Sequence, residues 1–236
     1  GRNEATGRGV MYTTKNILNK MGIPVQGTTV AIQGMGNVGS ITAKLLHREG
    51  MKIIAVSDVS GGICNPEGLN VPAILDYLSL NRKNLLKDYN EEGMSRITNE
   101  ELLEMDARVL VPAALENQIN ASNAHKIRAE IIVEAANGPV AADADGILQE
   151  RGITVVPDIL ANAGGVVVSY FEWVQNIQSV SWTEEEVNEK LKDIMDPAFE
   201  AVWDIAKRQN ATLRTGAYLI AVKRVVEAKA ARAIWP

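Results

Sequence analysis

Apolar and polar positions along this chain follow two periods. Thr29 to Gln33, Lys52 to Ser57, Val109 to Val111, Ile131 to Ala135 and Thr154 to Val156 are short apolar or β-branched runs, which predict buried strands. Other segments have helical spacing. Val38, Ile41, Thr42, Leu45 and Leu46 fall at i, i+3, i+4, i+7 and i+8, one face of a helix that Gly50 can end. Val10, Thr14, Ile17, Leu18 and Met21 share a face of an opening helix over about Thr6 to Lys20, followed by the turn Gly22-Ile23-Pro24. Asn70 is placed to cap Val71 to Leu80, Thr98-Asn99-Glu100-Glu101 reads as a capping box, and Gly152 closes a helix over Ala142 to Glu150. Ser60 to Gly68 is rich in turn residues and predicts a small hairpin, while the polar stretch Asn81 to Ser95 predicts a mobile surface loop. Strand and helix alternate through residue 156, the order of an α/β, doubly wound, parallel sheet.

From Ala163 the pattern becomes purely helical. Three helices are predicted: Ala163 to Gln178, Glu184 to about Asn210, and Leu213 to about Arg232. Thr183-Glu184-Glu185-Glu186 forms a second capping box and Thr212 can cap the last helix. Pro197 falls inside the middle helix, where a missing N–H should kink or split it. Leu219, Val222, Val225 and Val226 give the last helix an apolar face. The expected organisation is one unit over 1–236, with a core to about residue 162 and helical additions over about 163–236.

Composition narrows the partners. With 236 residues, 46% of them apolar, the chain has room for one large domain or two small ones. A net charge of −5 argues against nucleic acid as the main partner. The single cysteine, Cys64, excludes an internal disulfide framework, and two histidines leave little for a metal site. Both suit a cytoplasmic setting. No signal peptide and no run of about 20 apolar residues is present, so no membrane is expected. Gly1-Arg2-Asn3-Glu4 runs at once into helix-like sequence without an initiator methionine, which reads as a piece of something longer.

The chemistry is concentrated after the first strand. Gly34, Gly36 and Gly39 are spaced G-x-G-x-x-G between that strand and its helix, and Asp58 ends the second strand about 20 residues later. Gly34 would allow the tight turn, Gly36 a close approach of backbone to pyrophosphate, and Gly39 the close packing of helix on strand. Free N–H groups near Asn37 and Val38 would face the phosphates, and Asp58 would accept from the adenosine ribose. Three further strand ends carry small or amide residues: Val111-Pro112-Ala113-Ala114-Leu115, Glu134-Ala135-Ala136-Asn137-Gly138-Pro139 and Leu160-Ala161-Asn162-Ala163-Gly164-Gly165. Small side chains admit a flat ring, and an amide donates and accepts at once. Singly, Asn137 and Asn162 also suit loop or cap positions.

Gly1-Arg2-Asn3-Glu4-Ala5-Thr6-Gly7-Arg8-Gly9-Val10, the glycine loop with Gln33 before it, Ala135-Ala136-Asn137-Gly138-Pro139 and Asn162-Ala163-Gly164-Gly165-Val166 stand in one order. Together they resemble the C-terminal, NAD-binding half of glutamate dehydrogenase, in the Glu/Leu/Phe/Val dehydrogenase superfamily, over essentially the whole chain. The resemblance implies a Rossmann-like fold with one strand reversed. It implies Thr6 at the nicotinamide carboxamide with Arg2 near the same cleft, Gly34, Gly36, Asn37, Val38 and Gly39 at the pyrophosphate, and Asp58 at the ribose. It further implies Ala113 and Asn137 around the nicotinamide ribose, Asn162 beside the nicotinamide ring, and Val166 and Ser169 in the glutamate side-chain pocket. L-glutamate and 2-oxoglutarate as ligands of the full-length enzyme, and a homo-hexamer, follow by the same resemblance, as does a return of the last helices toward the substrate half. The proton-moving lysine and aspartate of that family belong to the other half, so this chain carries no catalytic residue and is expected to be inactive alone.

Charge favours NAD over NADP, since Asp58, Glu67 and Asp76 are acidic and no basic residue lies between Lys52 and Arg82. NADP remains open if Arg82 or Lys83 folds back. The alternatives are the cofactor domain of a leucine- or phenylalanine-type dehydrogenase of the same superfamily and a non-catalytic nucleotide-binding module. Bare apolar surface is expected around Trp173, Trp203 or Trp235.

Overall fold

A computed structural model describes residues 1–232, so Trp235 lies outside the described residues. In chain order the elements are α1 (Ala5–Lys20), β1 (Thr29–Gln33), α2 (Asn37–Arg48), β2 (Lys52–Asp58), β3 (Gly61–Cys64), α3 (Val71–Leu80), β4 (Ser95–Ile97), α4 (Asn99–Leu103), β5 (Val109–Pro112), β6 (Ile131–Val133), α5 (Ala142–Glu150), β7 (Thr154–Val156), α6 (Asp158–Ala161), α7 (Gly164–Gln178), α8 (Glu184–Arg208) and α9 (Leu213–Ala231). The seven strands form one sheet in the order β4-β3-β2-β1-β5-β6-β7. β3 is antiparallel to both β2 and β4, and the other neighbours pair in parallel, so one strand is reversed. The order reverses direction beside β1, where β2 lies on one side and β5 on the other, and the ends of β1 and β5 flank the crevice where such sheets take ligands.

Both sheet faces are covered, and alternate strand residues serve different layers. Val30, Ile32, Val109, Val111, Ile131 and Val133 join one core with Ile17 and Leu18 of α1 and Leu45 and Leu46 of α2. Ala31, Leu110 and Ile132 point the other way, into a core with Leu102 and Leu103 of α4 and Ala144 and Leu148 of α5. A third cluster, with Ala5, Val168, Phe171, Val187, Leu191 and Met195, joins α1, α7 and α8.

The Ser60 to Gly68 stretch is not a hairpin of its own: it holds one strand, β3, which pairs back on β2. The capping boxes at Thr98 and Thr183 and the caps at Asn70 and Thr212 are all formed. One further expectation needs correction, and another is narrowed. Asn81 to Ser95 is no free loop: Leu86 and Tyr89 are buried, and the Arg96 guanidinium donates to the carbonyls of Leu86 (2.5 Å) and Tyr89 (2.6 Å). Polar composition hid two apolar anchors and a cation that satisfies the backbone between them. Pro197 does not split its helix, because α8 runs unbroken from Glu184 to Arg208. Pro197 is exposed, so the carbonyl left without a donor faces water, and buried Met195 and Phe199 hold the two halves on the core.

Candidate functional site

Every candidate residue but Arg2, Thr6, Val166 and Ser169 sits at or just past a strand end or the short α6, and backbone hydrogen bonds lace those ends together. Ala113 N–H donates to the Gln33 carbonyl at 2.8 Å, and Ala135 and Ala136 N–H donate to the Pro112 carbonyl at 3.1 and 3.0 Å. The Asn162 amide donates to the Ala135 and Ala136 carbonyls at 3.4 and 3.3 Å and to Asn137 Oδ1 at 2.8 Å. The loops after β1, β5, β6 and β7 thereby form one continuous rim. With its side-chain oxygen engaged by Asn162, the Asn137 amide nitrogen has no hydrogen-bond partner among the described residues.

The glycine loop has the geometry a diphosphate requires. Gly34 has φ +93°, open to glycine without strain, and a Cβ there would lie 3.0 Å from the Ala113 backbone. A Cβ on Gly39 would fall 1.7 Å from the Gly34 carbonyl oxygen, so helix and turn pack at backbone contact. At Gly36 a Cβ would meet only open space, and the residue is exposed. No contact within the described residues requires a glycine here. Gly36 is also the N-cap of α2, and no side chain caps that helix, so the first-turn N–H groups at Asn37 and Val38 remain available to an anion. The fold thus supplies a cradle and donors that fit a dinucleotide diphosphate.

Asp58 is more committed than the pattern suggests. Its Oδ1 accepts from Ser60 N–H (2.7 Å) and the Ser60 hydroxyl, and its Oδ2 accepts from Leu86 N–H (2.8 Å). An ionised carboxylate offers about four acceptor positions, which leaves one for a ribose hydroxyl. The same bond brings the Leu86 turn, with exposed Lys87 beside it, back to the end of β2.

α1 joins the two sides of the rim. A Cβ on Gly7 would strike Ile41 of α2 at 2.6 Å, and one on Gly9 would meet Gly164 of α7 at 3.1 Å. Thr6 faces α7, its hydroxyl 2.5 Å from where a Gly165 Cβ would stand. Glu4 binds Arg8 and Lys44, both at 2.6 Å, tying α1 to α2. Hydrogen bonding to Lys44 and attraction to both cations hold the Glu4 carboxyl below its usual 4.5, against the effect of burial. Arg2 pairs instead with Glu172 of α7 at 3.1 Å, both half-exposed. Val166 is exposed and Ser169 half-buried, one turn apart on α7.

Sequence reasoning missed the support beneath the rim. Glu134 has no exposed surface and faces Arg214 of α9 through two bonds, at 2.8 and 3.0 Å. Burial pushes the Glu134 carboxyl up, and Arg214 opposes it; burial works against the Arg214 charge, but Glu134 and Asp145 hold that guanidinium firmly protonated. An acid directly after the apolar Ile131–Val133 run was the available signal. Burial also raises the Cys64 thiol, which makes it a poor nucleophile. A cleft of about 290 Å³ lies between the start of β7, Trp203 and Arg214, at the opposite end of that strand from the rim.

Residues 1–233 match the sequence model of the Glutamate/Leucine/Phenylalanine/Valine dehydrogenase family. The chain belongs to that family. Among its relatives, a catabolic NAD-specific glutamate dehydrogenase of Bacillus subtilis is 48% identical over 97% of this chain and 53% of its own length. An NADP-specific glutamate dehydrogenase A1 of Halobacterium salinarum is 48% identical over 100% of the chain and 56% of its own. The fold is similar to the hetero-hexameric glutamate dehydrogenase of Thermus thermophilus in its Leu-bound form, with a TM-score of 0.91 and 33% identity over 100% of this chain and 55% of that one. The chain spans about half the length of the relatives it matches.

Proposed function

We propose that this chain is the cofactor-binding half of a glutamate dehydrogenase, holding NAD for the reversible oxidative deamination of L-glutamate to 2-oxoglutarate and ammonia by the full-length enzyme. The observation that carries the reading is the uncapped N-terminus of α2 opening at Gly36, where a side chain would meet only empty space. When bound, the nicotinamide accepts or returns a hydride. In this reading the first-turn N–H groups of α2 hold the diphosphate and the last free acceptor of Asp58 takes a ribose hydroxyl. Thr6, Ala113, Asn137 and Asn162 orient the nicotinamide end, and Val166 and Ser169 form this half's share of the substrate pocket. Residues 1–162 are the nucleotide core, and the helices beyond face the substrate half. The lysine and aspartate that would move protons are supplied by that other half, so these 236 residues alone turn over no glutamate. The full-length enzyme is a soluble hexamer.

Relatives include both NAD-specific and NADP-specific enzymes, so the choice rests on Asp58, whose charge opposes a 2′-phosphate. Titration of the chain with NADH and NADPH tests this: NADH should bind more tightly, and preferential NADPH binding overturns the assignment. Glutamate-dependent NADH formation by the chain alone would refute its inactivity. A leucine- or phenylalanine-type enzyme would lose little when Ser169→Ala is made in the full-length protein; glutamate activity should fall if this hydroxyl grips the side-chain carboxylate.

A further inference from the structure

The loop after β6 is held by a charged cluster that reaches it from three helices. The Glu134 carboxylate accepts four hydrogen bonds: from Val140 N–H (3.3 Å), Asp158 N–H (2.7 Å) and both terminal nitrogens of Arg214. Arg214 also binds Asp145 of α5 at 2.9 Å and comes within 3.9 Å of Asp158. Asp158 in turn accepts the Gly138 N–H at 2.8 Å. Asp158 and Asn162 are one helical turn apart, and both grip the 135–138 loop, one by accepting and one by donating.

We propose that Arg214 is a positioning residue for the nicotinamide end of the cofactor, fixing the Asn137–Asn162 amide pair through Glu134 and Asp158. The proposal rests on the cofactor reading above. Only a planar fork with several donors spans Glu134, Asp145 and Asp158 together; a lysine ammonium is a point donor and satisfies fewer of them. Glu134 sits at the base of the loop and Asp158 at its tip, so both must stay in place for Asn137 to present its amide nitrogen at a constant angle. Arg214 lies in the first turn of α9, which ties the seating of that helix to the rim.

A pair of ligands separates positioning from general support. NADH reaches the whole rim, whereas ADP-ribose carries the adenosine and diphosphate without the nicotinamide. In the 236-residue chain, Arg214→Lys should weaken NADH about tenfold, the scale of one lost hydrogen bond, and leave ADP-ribose within about twofold. Asp158→Ala, which removes the Gly138 acceptor but spares the Glu134–Arg214 pair, should show the same selective loss. Unchanged NADH affinity in both variants, or parallel weakening of both ligands, overturns the proposal. If the unaltered chain binds neither ligand, the cofactor reading itself fails and takes the proposal with it; ADP-ribose binding without any gain from the nicotinamide defeats the proposal alone.

Discussion

Around the end of β1, backbone meets backbone: Gly39 against the Gly34 carbonyl, Gly34 against Ala113, Gly9 against Gly164. Along α9, by contrast, large apolar side chains are mostly exposed, with Val222 and Val226 each 59% exposed and Val225 69%. α7 shows the same habit at Trp173, which stacks on Tyr170 while 58% exposed. Trp203 differs, since it is half-buried and stacked on Phe199. In the first region Gly34, Gly39 and Gly9 each answer a contact within this chain, and only Gly36 opens onto solvent. The second leaves an apolar stripe exposed among the described residues.

The largest test of that contrast lies among the glycines. Gly39→Ala drives a methyl into the Gly34 carbonyl and should cost about 3 kcal/mol in urea unfolding. Gly36→Ala should change stability by no more than about 0.5 kcal/mol yet weaken NADH about tenfold, because its methyl occupies the ligand's space rather than the protein's. Equal stability losses at the two positions would erase the distinction between a packing glycine and a binding glycine. In the helical tail, Pro197→Ala restores a backbone donor at an exposed position and should raise stability by about 1 kcal/mol; a loss would mean that the proline sets a bend the core depends on.

At the seam between the regions, Glu4 links α1 to α2 and should contribute about 1 kcal/mol at neutral pH. Because its folded pKa lies below the usual 4.5, that contribution is present above pH 4.5 and disappears as pH falls through the folded value. Urea unfolding of the unaltered chain and Glu4→Gln should therefore differ at pH 7 and converge once pH has fallen below the folded value; a gap that persists in acid would place the effect elsewhere. The smallest effect is expected at Val222→Ser with Val226→Ser, within about 0.5 kcal/mol in this chain. A large loss there would show that this face of α9 is covered within these residues.

Much of this was legible beforehand because it is local. The residues at i, i+3 and i+4 from Val38, the cap at Asn70 and the boxes at Thr98 and Thr183 each depend on neighbours within a turn or two. The segment from Asn81 to Ser95 was misread for the opposite reason: its order comes from Leu86 and Tyr89 sinking into the core and from Arg96 returning to their carbonyls. Asp58 was identified by its place, but not its prior engagement with Ser60 and Leu86.

Periodicity and glycine spacing alone determined the order of β1, β2, β5, β6 and β7 and of the longer helices, and the sharp turn after β1, since each is dictated by backbone freedom over a few residues, whereas β4 and α6 were not predicted. Only the tertiary structure decided which strand ends share a rim, how far Asp58 is already engaged, and that Glu134 and Arg214 meet. Those partners are 80 positions apart. Nothing in the local sequence encodes their distance; the sheet order and the seating of α9 bring them together, and the burial of both charges makes the pairing necessary.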